Sequence, residues 1–215
     1  MQARIAEMAK AQTREYELIF VTEPGPPGVA RNSGMRIARE LGIKLVSFWD
    51  DDDFYGPGML QEQLANWRPG RVVGKTFGFV AFNQGVVYFP VPKNQATQHL
   101  LIGGTIFGHV DEMPDWTDMP VGEDGAFSVD CRAKGLETYV LSGKHFVYSR
   151  LGEPRDHTYK ASSGLVWHNA GGSGVPTKLS PTEATVAETP SGIGIRHKEW
   201  ANGTELKRHR VPSQV

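Results

Sequence analysis

The sequence predicts an α/β protein, and three observations lead to this fold class. Short apolar segments rich in β-branched and aromatic residues alternate with segments of helical periodicity in the amino-terminal third of the chain. Glycines stand where predicted helices end, at Gly42 and Gly135. One predicted strand, residues 43–49, runs directly into four consecutive aspartates, Asp50 to Asp53. We therefore expect a mainly parallel sheet with flanking helices and right-handed crossovers.

The amino-terminal third is predicted to alternate helix and strand. A Pro/Gly-rich loop at 22–28 interrupts both kinds of element, and Gly56-Pro57-Gly58 opens a further helical pattern. The strand at 43–49 is short and rich in β-branched and aromatic residues, which is typical of a strand covered on both faces. The predicted elements are a helix over 1–14, a strand over 16–21, a helix over 29–41, the strand over 43–49 and a helix through Leu60, Leu64 and Trp67.

Strands dominate the prediction for the middle of the chain. Segments 72–82 and 85–89 read as two strands of a hairpin joined through Asn83-Gln84. An apolar segment at 100–107 is interrupted by Gly103-Gly104, where either a ligand or another backbone approaches closely or the strand bulges. A helix over 125–134 and strands over 137–141 and 144–150 complete a domain that we expect to span residues 1–160.

The carboxyl-terminal part differs in composition. Residues 161–191 are rich in Gly, Ser, Thr and Pro, which indicates a linker or an extended arm. Residues 192–215 predict a basic β-hairpin around Ala201-Asn202-Gly203-Thr204. This arm is also where we expect a second copy or a partner chain to bind.

Composition and charge exclude some functional classes. The chain has 215 residues, 22% charged and 10% aromatic, which is an ordinary globular composition. A net charge of -1 gives no overall attraction to nucleic acid or to an anionic membrane. The single cysteine, Cys131, excludes an intrachain disulfide framework. No apolar run reaches spanning length and the start lacks the apolar core of a signal peptide, so we expect a soluble cytoplasmic protein.

The aspartate run predicts a cation site. It follows a strand and precedes a helix, and open α/β sheets bind ligands at the carboxyl ends of their strands. Four adjacent carboxylates repel one another, and a divalent cation with a preference for oxygen ligands relieves this repulsion. The alternative is a solvated acidic turn that favours the positive end of the next helix.

A second acidic segment ends in Glu123 and Asp124, at the start of a predicted helix. The helix dipole and amide donors at that position are expected to keep both carboxylates ionised, as a general base requires. Helix capping is the alternative. Arg31 and Asn32 lie at the start of another helix and are expected to face the ligand, with a surface ion pair and a helix cap as the alternatives. His157, in a loop, is either a ligand or a surface residue.

These motifs together resemble the family-two glycosyltransferases with a GT-A fold. The likeness covers about residues 1–160, with the motifs in the order of that family. It rests on Ala30-Arg31-Asn32-Ser33-Gly34, Phe48-Trp49 with the aspartates that follow, Gly103-Gly104, and Gly122-Glu123-Asp124 followed by a helix and Gly135.

The resemblance implies a mixed Rossmann-like sheet and a metal-dependent inverting hexosyltransferase. It implies a nucleotide-sugar donor, expected to be a UDP-sugar, and Mn²⁺ or Mg²⁺. The implied catalytic base is Asp124, with Glu123 beside it. The implied metal ligands are Asp50, Asp52, Asp53 and His157. The implied donor-binding residues are Arg31, Asn32, Asp50, Asp51, Gly103 and Gly104.

The chain departs from the family at its start, where the usual first strand is missing. We expect Glu23, Arg31, the carboxyl-terminal arm or a partner to supply the nucleotide contacts of that strand. Two other interpretations stay open: a GT-A-like protein that binds a nucleotide sugar or glycan without turnover, and a nucleotidyltransferase. The acceptor is also open among saccharides, proteins and modified nucleic acids.

Overall fold

The structure is a computed structural model, and it describes residues 2–76, 79–82, 85–88, 95–97, 100–150, 175–177, 181 and 209–210. Its α-helices lie close to the predicted positions. A left-handed glycine follows two of them, at Gly42 (φ 72°) and Gly135 (φ 79°), as the sequence predicts. The helices are α1 (Gln2–Lys10), α2 (Pro27–Glu40), α3 (Met59–Asn66) and α4 (Glu123–Ala133).

The strands form two five-stranded sheets and one two-stranded sheet. The strands are β1 (Glu17–Leu18), β2 (Leu45–Ser47), β3 (Phe54–Tyr55), β4 (Arg71–Gly74), β5 (Phe79–Phe82), β6 (Gly85–Tyr88), β7 (Gln95–Ala96), β8 (Phe107–His109), β9 (Glu137–Val140), β10 (Phe146–Arg150), β11 (Val175–Thr177) and β12 (His209–Arg210). The first sheet has the order β2-β8-β4-β9-β7, the second the order β11-β6-β5-β10-β3, and the small sheet pairs β1 with β12.

The α/β class with a mixed sheet is confirmed, but a mainly parallel sheet is wrong. Within the part of the chain that the structure describes, the parallel pairs are β4 with β9 and β5 with β10. The remaining pairs are antiparallel. In the first sheet, β8 lies between β2 and β4 and runs in the opposite direction to both. A pattern of helix and strand does not reveal this insertion, since the same apolar residues suit either direction.

The expectation that β2 is covered on both faces is confirmed only in part. Leu45 and Val46 pack against the cores on opposite faces of the sheet, but both stay half-buried because β2 is an edge strand of the first sheet. In β4, by contrast, Val72 and Val73 are 1% and 0% exposed. Val72 packs in a core with α2 and α4, whereas Val73 packs with Phe107 and Leu141 on the other face. The first sheet therefore has apolar side chains packed against both faces.

The predicted hairpin is confirmed in its pairing and wrong in its first strand. Strands β5 and β6 pair antiparallel, as predicted, with Asn83-Gln84 outside the described residues. The single strand expected over 72–82 is instead two strands, β4 and β5, which belong to different sheets. Gly74 ends β4, and a Cβ on Gly74 would lie 3.2 Å from the Leu101 side chain.

Two short segments of the carboxyl-terminal part are described. Val175–Thr177, within the predicted linker, forms β11 and pairs with β6. His209–Arg210, within the predicted basic hairpin, forms β12 and pairs with β1. The expected turn at 201–204 and His157 lie outside the described residues. Among the described residues, no helix is both long and apolar enough to cross a bilayer.

Candidate functional site

Arg31 brings the two acidic segments together. Its Nη2 atom donates to both carboxylate oxygens of Asp50, at 2.7 and 3.1 Å, and its Nη1 atom donates to Glu123 Oε1 at 2.7 Å. The Arg31 side chain is 9% exposed, against 12% for Glu123 and 37% for Asp50. Arg31 is therefore a buried bridge between two carboxylates and not a surface ion pair.

The guanidinium group of Arg31 is held between a ring and a backbone segment. It lies over Trp116 at 4.5 Å from the ring centroid, and Trp116 stacks in turn on Phe127 at 3.9 Å. A Cβ on Gly103 would lie 2.8 Å from the guanidinium carbon, so only glycine fits there without displacing Arg31. Burial lowers the pKa of Arg31, but the charges of Asp50 and Glu123 outweigh burial and raise it, so the group stays a cation.

Gly104 lies against the other end of the Asp50 carboxylate. A Cβ on Gly104 would lie 2.7 Å from Asp50 Oδ2 and 2.8 Å from the Tyr55 hydroxyl oxygen. That hydroxyl donates to the Gly104 carbonyl at 2.9 Å and accepts from the Asp50 backbone N–H at 2.8 Å. The glycine pair was predicted to allow close approach, and here the atoms that approach are protein side chains. The bulge alternative is not borne out, because Gly103–Thr105 is a 3₁₀ turn before β8.

The aspartates of the run have different surroundings. Asp51 is exposed, Asp52 is half-buried and Asp53 is buried at 1% exposure. Although the Asp51 residue is exposed, partial desolvation of its carboxyl group raises its pKa, and the neighbouring charges of Asp52 and Asp50 raise it further. Asp53 Oδ1 accepts from the Ser149 backbone N–H in β10 at 2.7 Å, so Asp53 joins the acidic loop to the second sheet.

Arg4 of α1 supports the acidic loop from outside the predicted site. Its Nη2 atom donates to the carbonyl oxygens of Asp51 and Asp53 at 3.3 and 2.9 Å. The guanidinium group lies over the Phe54 ring at 4.3 Å. The amino-terminal helix therefore holds the backbone of the loop that carries the aspartates.

Glu123 and Asp124 occupy the first turn of α4, as predicted. The residue before the helix is Gly122, with φ 84°, and it makes no side-chain capping bond. Glu123 binds Arg31, and Asp124 Oδ1 accepts from the Gly125 N–H at 2.7 Å. Burial raises the pKa of Asp124, and the charge of Glu123 adds to this, against hydrogen bonds from Gly125 and Gly103 and the charge of Arg31.

The helix start is expected to keep Asp124 ionised, and its ionisation stays a prediction. Desolvation and the charge of Glu123 raise the Asp124 pKa by more than the amide donors of Gly125 and Gly103 lower it. A carboxylate with a raised pKa is a stronger base once it is ionised. The raised pKa is compatible with the role of general base that the resemblance implies for Asp124.

Both polar side-chain atoms of Asn32 form hydrogen bonds with the backbone of Trp116. Its Nδ2 donates to the Trp116 carbonyl at 2.9 Å, and its Oδ1 accepts from the Trp116 N–H at 2.7 Å. Asn32 lies inside α2, so the alternative of a helix cap is wrong. These contacts support a role in holding the loop before α4, and the predicted donor-binding role stays untested.

The oxygen donors at the aspartate run fit a hard divalent cation. Partial desolvation is the largest cause of the raised pKa of Asp51, and the second is repulsion from Asp52 and Asp50, which a bound cation relieves. Both oxygens of Asp50 already accept from Arg31, and Asp53 Oδ1 already accepts from Ser149. Within the described residues, no group of three or more His, Cys, Asp or Glu side chains is arranged so that it could hold a metal ion. A cation held here needs further ligands from water or from substrate phosphates.

Sequence reasoning missed Arg4, Tyr55 and Trp116. Tyr55 stacks on Trp49 at 4.3 Å and joins Asp50 to Gly104, so it closes the aspartate loop. A polar aromatic residue that follows a charged loop in a buried strand is a usable signal, because a buried hydroxyl requires a partner. Arg4 and Trp116 gave no such signal, since their partners are distant in sequence.

The chain matches no protein-family model, and it matches no curated protein.

Proposed function

We propose that the protein is a metal-dependent inverting glycosyltransferase with a GT-A-like fold, which transfers a sugar from a nucleotide-sugar donor to an acceptor hydroxyl. The observation that carries the proposal is the bridge through Arg31, which joins Asp50 of the aspartate run to Glu123 beside Asp124. Two acidic segments that are far apart in sequence thus meet around one glycine pair, Gly103-Gly104.

The roles of the residues follow from their surroundings. Asp50 and Asp52 are the residues that would hold a divalent cation, Mn²⁺ or Mg²⁺, which supplies positive charge for the leaving diphosphate when it is bound. Asp124 takes the proton of the acceptor hydroxyl as its oxygen bonds to the anomeric carbon. The bond from that carbon to the diphosphate breaks on the opposite side, and this single displacement inverts the configuration. Burial of Asp124 supports its role as base, because it raises the basicity of the carboxylate.

One observation favours a second candidate, a protein that binds a nucleotide sugar or a glycan without turnover. Arg31 already donates to both oxygens of Asp50, so the negative charge of this carboxylate is neutralised within the chain itself. In this alternative the same residues recognise the ligand, and Asp124 moves no proton.

Incubation with Mn²⁺ and a panel of nucleotide sugars, with and without saccharide acceptors, separates these candidates. Release of nucleoside diphosphate supports transfer or hydrolysis, binding without release supports the second candidate, and release of pyrophosphate indicates a nucleotidyltransferase.

Substitutions at the base and at the aspartate run test the assigned roles. We expect Asp124→Asn to lower diphosphate release by about 100-fold or more, because general base catalysis alone contributes at least that factor. Asp52→Ala is also expected to lower it, because the substitution removes an oxygen ligand of the proposed cation. Asp118→Asn is the matched control, since Asp118 is an exposed acid in the loop before α4. An Asp124→Asn variant that is folded and fully active contradicts the assignment of the base.

A further inference from the structure

The amino-terminal half of α2 holds the loop that leads to α4 at three points. A Cβ on Gly28 would lie 2.4 Å from the Thr117 carbonyl oxygen, so the helix and the loop backbone are in direct contact. Asn32 binds both backbone polar groups of Trp116. Arg31 covers the Trp116 ring and binds Glu123. Of these three contacts, the one through Arg31 also extends to Asp50 on the far side of the site.

We propose that Arg31 is a positioning residue, whose guanidinium group cross-links Asp50 of the aspartate run to Glu123 beside the base and sets the separation of the two acidic segments. The role differs from the donor binding predicted from sequence, because the N–H donors of the guanidinium group bind Asp50 and Glu123. Its catalytic consequence rests on the proposed function, whereas the cross-link does not.

The geometry explains why arginine is needed at this position. A planar guanidinium group presents separate N–H donors to two carboxylates while one of its faces covers a ring. The two faces of Arg31 are filled by Trp116 and by the Gly103 backbone, so the group is held in one orientation. A lysine at this position has a single ammonium group, which can form a direct ion pair with Asp50 or with Glu123 but does not fill the same space.

The cross-link predicts that the effect of Glu123→Gln on the free energy of unfolding changes sign when Arg31 is replaced. In the wild-type background, Glu123→Gln removes one partner of a buried cation and destabilises the fold. In Arg31→Met, the Glu123 carboxylate is buried without that cation, so Glu123→Gln stabilises the fold. We expect the two effects to differ by about tenfold or more in the unfolding equilibrium constant.

The cycle extends to Asp50 through the same arginine. The effects of Asp50→Asn and Glu123→Gln on the free energy of unfolding are expected to be non-additive when Arg31 is present and additive in the Arg31→Met background. Arg36→Met is the control, because Arg36 lies on the same helix in an exposed pair with Glu40. If Arg31→Met does not fold, Arg31→Lys serves as the background, and loss of the coupling between Asp50 and Glu123 is again the expected result.

Kinetics test whether the cross-link matters for the reaction. With a nucleotide sugar that the wild-type protein turns over, a positioning role predicts that Arg31→Lys lowers kcat by about tenfold or more and leaves the donor KM nearly unchanged. A donor-binding role predicts a raised KM and weaker binding of UDP with Mn²⁺.

Three results overturn the proposal or part of it. If the effects of Asp50→Asn and Glu123→Gln on stability are additive in every background, the cross-link is contradicted. A raised donor KM with an unchanged kcat removes the positioning role and returns Arg31 to donor binding. Absence of turnover with every nucleotide sugar removes the proposed function and the catalytic consequence, while the stability cycle still decides whether the cross-link exists.

Discussion

At the scale of single residues, a buried ion pair outside the site braces the segment that carries the glycine pair. Lys75 is 1% exposed, and its Nζ atom donates to Glu62 Oε2 at 2.5 Å and to the Ser142 carbonyl at 2.8 Å. The Lys75 backbone N–H donates to Thr105 Oγ1 at 2.9 Å, and its carbonyl accepts from Ile102 N–H at 2.8 Å. Lys75 thus connects α3 and the end of β9 to the turn at Gly103–Thr105.

Removal of the Lys75 charge is expected to be costly. Burial lowers the pKa of Lys75 and the charge of Glu62 opposes this, so the two groups depend on each other. We expect Lys75→Met to lower the free energy of unfolding by about 3 kcal/mol or more, because it leaves Glu62 without its cation. The measurement is denaturant unfolding at neutral pH.

The double variant Lys75→Met, Glu62→Gln provides the internal check on this explanation. It is expected to be more stable than Lys75→Met alone, since the uncompensated carboxylate is gone. Lys10→Met, in an exposed pair with Glu7, is the control and is expected to leave the free energy of unfolding almost unchanged. A double variant less stable than Lys75→Met would contradict the role of charge at this position.

At the scale of elements, α2 is the helix on which the site depends. Its buried residues include Met35 and Ala38, which pack into the core of the first sheet, and Arg31, which reaches both acidic segments. The helix begins with Pro27 in its first turn, where a missing N–H costs nothing, and is followed by Gly42 at positive φ. The same helix therefore contributes to both the core and the site, and a change in its packing is expected to alter both the stability of the fold and the geometry of the site.

Two glycines of α2 allow a matched test of this packing. Gly34→Ala adds a methyl group at 3.6 Å from Val21 Cγ2, an ordinary contact, so we expect a gain of about 0.5–1 kcal/mol from helix propensity. Gly28→Ala adds one at 2.4 Å from the Thr117 carbonyl oxygen, which is backbone, so we expect a loss of about 1–3 kcal/mol. Thermal unfolding of the two variants beside wild type measures both effects.

The two substitutions also differ in their expected effect on the site. Gly28→Ala pushes α2 away from the loop before α4 and so strains the bridge from Arg31 to Glu123, whereas Gly34→Ala leaves this contact alone. Equal stability of the two variants would contradict the close packing of α2 against Thr117.

At the scale of the whole molecule, the aspartate run connects the two large sheets. It follows β2 of the first sheet, and it leads into β3, which pairs with β10 of the second. Asp53 lies at this junction and accepts from the Ser149 N–H, while Arg4 holds its carbonyl oxygen. The loop predicted to bind the cation is thus also the loop on which the joining of the sheets depends.

Asp53 offers a test that separates these two roles. We expect Asp53→Ala to lower the free energy of unfolding by about 1–3 kcal/mol, because the buried Ser149 N–H loses its acceptor. Asp53→Asn keeps an acceptor oxygen and is expected to cost less. Titration with Mn²⁺ completes the test: a structural role leaves the affinity of Asp53→Asn near that of wild type, and a metal-ligand role lowers it sharply.

The helices of the described residues and the chemical types of the site were predictable from the sequence alone. Apolar periodicity located α1 to α4, and glycines marked the ends of two of them. The aspartate run and the Glu123-Asp124 pair were recognisable because charge at the ends of apolar segments is a local signal. The hairpin of β5 and β6 was likewise a local pattern. Interactions that act within a few residues suffice for each of these features.

Tertiary structure alone decided which groups meet. The insertion of β8, the edge position of β2 and the assignment of β4 and β5 to different sheets depend on pairings between distant segments. Arg31 is the clearest case, since its partners lie 19 and 92 residues away, and nothing near it in the sequence distinguishes a buried bridge from a surface pair. The direction of the Asp124 pKa has the same origin, because desolvation by the folded chain outweighs the local effect of the helix start.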